Sequence, residues 1–158
     1  MALDFPAMLK ELQLKVTPKR VAILEILART GSFLSPEEVR RKLQEQFARI
    51  GLPTVYRNLD ELAAGGIIAK IIHPNRQLYY YLCPNSDHHH HFVCLSCRRV
   101  LDLEICSVKG LEKEINAQVK GKVISHILQV NGLCGSCCAR EKKGGRGRQA
   151  GTAGAGAQ

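Results

Sequence analysis

The chain has 158 residues, 45% of them apolar, enough for one core or two small ones. Its net charge of +9 is uneven: Lys+Arg stand against Asp+Glu at 12 to 8 over residues 1–82, 6 to 5 over 83–138 and 5 to 1 over 139–158. A basic first half beside a nearly neutral second points to a polyanion reader joined to something else, and no apolar run approaches the ~20 residues of a membrane span.

In chain order the first signals are helical. Pro6 to Leu12 reads as a short helix. "TPKRVAILEILART" places Thr17 as N-cap, Pro18 at the first helical position and Gly31 past the end, with Val21, Leu24, Leu27 and Ala28 on one face. "SPEEVRRKLQEQF" repeats the start with Ser35 and Pro36, then Glu37 and Glu38 in the first turn, and turns Val39, Leu43 and Phe47 inward. "LPTVYRNLDELAAGG" forms a third such helix, stopped by Gly65 and Gly66. "IIAKII" and "QLYYYL" then bracket the turn "HPNR" as a hairpin. Three helices and a hairpin have the sequence shape of a winged helix-turn-helix.

After Cys83 the pattern is α+β. "HFVCL", "RVLDLE" and "KVISHILQV" are candidate strands, and Val108–Val119 carries Leu111, Ile115 and Val119 on one helical face. The expected division is a DNA-binding domain over 1–82, a hinge over 83–87, a metal-binding α/β domain over 88–139, and a disordered, basic, Gly/Ala-rich tail over 140–158. No N-terminal stretch reads as a signal peptide, so a cytoplasmic protein is expected, without membrane or small organic substrate. In a reducing compartment its seven cysteines bind metal or do redox work more often than they form disulfides.

Cys94-x2-Cys97 and Cys134-x2-Cys137 are two knuckles whose four thiolates can complete a tetrahedron around zinc. Such an ion would pin the end of the second half onto its first hairpin. Cys106 and Cys138 lack paired spacing. The run His88–His91, if extended, sends His89 and His91 to one face and His88 and His90 to the other, so one strand can serve two sites. His73 and Cys83 are the candidates to complete the His89/His91 set. Catalytic zinc is not expected, because neither H-x-E with P-C-x-x-C nor H-E-x-x-H occurs.

These residues resemble the ferric uptake regulator superfamily. "LKVTPKRVAILEIL", "SPEEV", "GLPTVYRNLDELAAGGII", "HHHHFVCLSCRRVLDL" and "SHILQVNGLCGSC" follow its pattern in order across residues 14–137. The resemblance implies a winged-helix DNA reader, a C-terminal dimerisation domain, a metal-loaded homodimer, and structural zinc on Cys94, Cys97, Cys134 and Cys137. Iron-type members carry a histidine and a glutamate where this chain has Phe33 and Tyr81. Zinc uptake regulators carry a cysteine followed by H-x-H, as in Cys83-x5-His89-x-His91, so the zinc branch fits best, with His73 as the expected fourth ligand. A third family site corresponds to His88, His90 and His126; its glutamate position is Lys109, with Glu104 as a substitute.

Thr54, Tyr56 and Arg57 on the third long helix are expected to read bases, while Lys15, Lys19 and Arg20 hold phosphates or reach the minor groove; for Lys19 and Arg20 a solvated helix start is the alternative. The expected function is a zinc-responsive transcriptional regulator that binds AT-rich inverted repeats as a dimer. An iron- or peroxide-responsive regulator of the same superfamily is the alternative, and a zinc-storage or redox protein without sequence-specific DNA binding is a second rival.

Overall fold

A computed structural model describes residues 3–85, 87–104, 106 and 108–145, with side chains left undescribed at 108, 109 and 142–145. Each early helix starts on a local cap. Asp4 accepts from the Ala7 N–H ahead of α1 (Phe5–Glu11), and Thr17 from the Arg20 N–H ahead of α2 (Pro18–Thr30). α3 (Pro36–Leu43) has a complete capping box: Ser35 Oγ accepts from the Glu38 N–H, and Glu38 Oε2 from the Ser35 N–H. α4 (Leu52–Ala64) follows Gly51 with no side-chain cap. Gly31 (φ +60°) ends α2, and Gly66 (φ +79°) turns the chain after α4, both in the left-handed region that glycine tolerates best.

α2, α3 and α4 close around one core that includes Ile23, Leu24, Leu27, Val39, Leu43, Val55, Leu59 and Leu62. The buried face of α2 is wider than the expected stripe and takes in Ala22 and Ile26, whereas Val21 and Ala28 are only half-buried. α1 lies across it through Phe5 and Leu9, so this helix is wrapped on more than one side. α3 stops at Leu43, short of the expected Phe47. The Phe47 N–H still reaches the Leu43 carbonyl, but through a turn, and its ring packs at the edge of the core.

β1 (Ile68–Ile72) and β2 (Leu78–Leu82) pair antiparallel as the wing, and Leu34 bridges to Tyr80 as a third rung. The second half is a three-stranded sheet in the order β4 (Val100–Leu103), β3 (His90–Cys94), β5 (Gln129–Gly132), with β3 and β5 parallel. α5 (Val108–Val119) lies between β4 and β5 in sequence, and α6 (Gly135–Gly145) closes the described chain. Two expectations change here. Only residues 129–132 of the third strand pair, because the Val123 N–H is taken by Asn116 Oδ1 of α5 and His126 turns towards other histidines. α6 also runs through 140–145, into the expected tail; residues 146–158 lie outside the described ones.

The halves meet through the cluster Phe33, Ile71, Tyr79, Val93 and Val100, which draws on the α2–α3 link, the wing and the second sheet. Beside it the Gln129 amide grips the Ile72 backbone twice, donating to its carbonyl at 2.7 Å and accepting from its N–H at 3.1 Å.

Candidate metal centres and nucleic-acid interface

Among the described residues three sets of four candidate ligands converge, the ligand atoms of each within 4.8 Å of one another. Strand alternation separates them. Where the chain enters β3, His89 pairs with His91 on one side (ring centroids 4.7 Å apart) and His88 with His90 on the other (4.8 Å).

The first set is Cys94, Cys97, Cys134 and Cys137, all free thiols. Cys94 ends β3, and Cys134 precedes α6, so the set ties the sheet to the last helix. Cys97 Sγ and Cys134 Sγ are 3.7 Å apart. That matches the ~3.8 Å edge of a tetrahedron with Zn–S near ~2.3 Å. Burial pushes the Cys94 thiol up, but N–H groups of Cys97, Cys134 and Ser96 outweigh it and hold the thiol at about 6. The side chains of Ser96 and Arg140 draw Cys137 down as well. The Arg99 N–H lowers the Cys97 thiol, but Cys94 and its other cysteine neighbours outweigh it and hold Cys97 up at about 11, so before any ion is considered Cys94 and Cys137 are the two drawn toward thiolate, the form that binds metal.

The second set is Cys83, His89, His91 and Asp102. Cys83 Sγ lies 3.0 Å from His89 Nε2 and 3.4 Å from His91 Nε2, and the two nitrogens are 3.1 Å apart. The His89 Nδ1–H donates to the Asp87 carbonyl at 2.6 Å, leaving Nε2 as the free lone pair. Asp102 arrives because β4 pairs it directly with His91, and its Oδ1 is 3.7 Å from His91 Nε2. Burial pushes His91 down, keeping it a neutral donor at pH 7, and pushes the Cys83 thiol up. His73, expected as the fourth ligand, is elsewhere. Its ring packs 5.5 Å from Tyr79 and 6.0 Å from Phe33, and its Nδ1 accepts from the Asn75 N–H.

The third set is His88, His90, Cys106 and His126. His90 is 3% exposed, and its Nε2 is buried with no hydrogen-bond partner. An orphaned imidazole nitrogen inside a ring of ligands fits a metal-binding role, since leaving it unpaired otherwise costs ~1–3 kcal/mol. Cys106 Sγ is 3.3 Å from His126 Nε2, and so occupies the place expected of Glu104, which is exposed and outside the cluster. The side chain of Lys109 lies outside the described residues. Spacing along the chain carries no signal for Asp102, which strand pairing sets opposite His91, or for Cys106, which the segment after β4 brings to His126.

In the first half, a groove between the start of α2 and α4 is lined by Lys15, Thr17, Lys19, Thr54, Arg57 and Glu61. Lys15, Lys19 and Tyr56 are exposed, Thr54 is half-buried, and the Arg57 side chain is 82% exposed. Arg57 Nε pairs with Glu61 at 3.0 Å, and the Tyr56 hydroxyl donates to Glu37 at 3.3 Å. Arg20 differs from expectation. It is 8% exposed, ion-paired to Glu61, and donates to the Lys15 carbonyl, so it braces the groove from inside and does not stand free for phosphate.

The pattern that defines the ferric uptake regulator family matches residues 11–131. The chain belongs to this family. Ferric uptake regulation proteins of Neisseria gonorrhoeae (32% identity over 138 residues, 87% of this chain and 95% of the relative) and of Vibrio cholerae (35% over 130 residues, 81% and 85%) are among its relatives. The solved V. cholerae ferric uptake regulator has 33% identity and a TM-score of 0.56, covering 83% of this chain and all of that one. A zinc uptake regulator solved with zinc and DNA has a TM-score of 0.73 at 23% identity, covering 87% and 92%, and shares the fold. As a ferric uptake regulator family member the chain is a metal-responsive, DNA-binding transcription regulator, and its relatives are regulators, not enzymes. No helix among its described residues is long and apolar enough to cross a membrane.

Proposed function

We propose that this family member senses zinc and, when loaded, binds inverted-repeat operators of zinc homeostasis genes as a homodimer. The observation that carries the reading is the Cys83 thiol, set 3.0 and 3.4 Å from two imidazole nitrogens at the seam between the wing and the second sheet. A mixed sulfur and nitrogen donor set favours a borderline-soft ion such as zinc over harder ones. Asp102 replaces His73 as the fourth ligand. Cys94, Cys97, Cys134 and Cys137 hold a structural zinc, and His88, His90, Cys106 and His126 form a third site.

Zinc, when bound, supplies a rigid link between ligands on separate segments. The chain's own residues convert that link into DNA affinity. Cys83 follows β2 of the wing, whereas His91 and Asp102 belong to the second sheet, so closing this set fixes the angle between the halves. In a dimer the angle spaces two α4 helices for major grooves ~34–36 Å apart. Tyr56 and Arg57 then face base edges, and Lys15 and Lys19 the phosphates. Support for a second copy comes from Leu111, Ile115 and Val119 on α5 and from Ile124 (93% exposed) and Ile127 (94%), exposed apolar side chains that nothing among the described residues covers.

The names of the relatives favour iron as the rival effector. DNA binding titrated against buffered free zinc and, anaerobically, against Fe(II) separates the two. Cys83→Ser should abolish zinc-dependent binding while the fold persists; zinc-responsive binding that survives in this variant would overturn the assignment.

A further inference from the structure

Arg98 closes the Cys94–Cys97 knuckle with φ +61°, in the left-handed region where glycine is the comfortable residue. Its backbone belongs to the knuckle: the N–H donates to the Cys94 carbonyl at 3.0 Å. Everything else it does points into the other half of the molecule. The Arg98 carbonyl accepts from the Phe33 N–H at 3.4 Å. Its Nη1 donates to Glu38 Oε1 at 2.7 Å, and its guanidinium carbon sits 5.7 Å from the ring centroids of both Phe33 and Tyr79. Glu38 is simultaneously the acidic member of the α3 capping box. One side chain on the cysteine knuckle therefore holds the start of α3, the α2–α3 link and the wing. Strain at a half-exposed turn persists only where something else is gained from the side chain.

We propose that Arg98 is a positioning residue for DNA binding, a latch that couples the four-cysteine knuckle to the helix-turn-helix through Glu38. The consequence is that the knuckle does more than stabilise its own domain. Its turn geometry sets where the Arg98 backbone stands, and through Glu38 where α3 and the packed α4 stand. This rests on the reading of the four cysteines as a metal site and of α4 as the DNA reader, and it adds a route between them separate from the Cys83 set.

The test uses the full-length zinc-loaded protein and a duplex that the wild type selects from a random pool in the presence of zinc. Arg98→Gly relieves the backbone and removes the latch. Glu38→Gln keeps a capping-box residue and removes the charge. Both should weaken DNA binding by about tenfold, within the range of coupling mutations away from a ligand. Zinc content by native mass spectrometry should stay at the wild-type value for Arg98→Gly, and solution scattering should show a broader distribution of distances between the halves. The double variant should lose no more than either single one, and Arg98→Lys should recover part of the loss. DNA affinity and scattering unchanged in both single variants would overturn the proposal. If Arg98→Gly loses knuckle zinc, Glu38→Gln, which lies outside the knuckle, decides alone. A wild type without zinc on the four cysteines overturns the metal reading, and one that selects no duplex overturns the DNA reading. In either case the scattering comparison still decides the latch.

Discussion

Asp102→Asn and His73→Ala together ask which residue completes the Cys83 set. Asp102 Oδ1 is 3.7 Å from His91 Nε2, held there by the β3–β4 register, while His73 packs against Tyr79 and Phe33. Asparagine preserves the size of the side chain and removes the anionic oxygen. Loss of an outer-shell partner alone costs ~10–100-fold in metal affinity, so loss of a direct carboxylate ligand should cost at least that, or about 1.4–2.7 kcal/mol. Competition against a chromophoric zinc chelator reads the affinity. By linkage, the free-zinc midpoint of DNA binding should move in the same direction. His73→Ala should titrate like the wild type in both assays. The assignment is refuted if Asp102→Asn binds zinc with wild-type affinity, or if His73→Ala shows the loss expected of Asp102.

Two further outcomes concern stability. Cys94→Ser removes the most buried thiolate of the four-cysteine set, so the second half should lose several kcal/mol and the dimer with it; sedimentation together with thermal melting checks this, and a stable dimer would count against a structural zinc. Burial raises the Glu38 carboxyl, but the Ser35 N–H and the Arg98 guanidinium outweigh it and hold it below its ordinary 4.5. A depressed carboxylate contributes stability above its unfolded value and loses it as pH falls through the folded one. The advantage in thermal midpoint of the wild type over Glu38→Gln should therefore be full near pH 7 and shrink below about 4.5; an advantage independent of pH would show that the charge contributes nothing.

The parts legible in the sequence are those encoded locally. Thr17, Ser35 and Gly31 mark helix ends through hydrogen bonds that span three or four residues, and the structure places them there. The two-residue period of a strand suffices to send His89 and His91 one way and His88 and His90 the other. What was illegible depends on partners far along the chain. Arg20 looks like a free cation at a helix start until Glu61, on another helix, closes over it. Residues 122–128 carry Val123, Ile124 and Ile127, β-branched residues that favour strands, but a strand needs a ladder partner, and Asn116 takes the Val123 N–H instead. The β3–β4 register sets Asp102 opposite His91, whereas His73, one residue past β1, turns its ring to Tyr79 and Phe33.

That dependence on register bears on how one fold can serve different metals. Three clusters meet on or beside β3, and each takes one ligand from it: Cys94 for the first, His91 for the second, His90 for the third. The remaining ligands arrive from other elements, so a substitution at one arriving position changes a donor set without disturbing the strand. Cys83 brings sulfur to the second cluster in this way, and Cys106 brings it to the third. Thiolate in place of carboxylate shifts each site toward softer ions. The fold thus supplies fixed histidines, and the chemistry of sensing is set at a few positions on its margins. Cys83 and Cys106 are the two where the zinc reading of this chain should stand or fall.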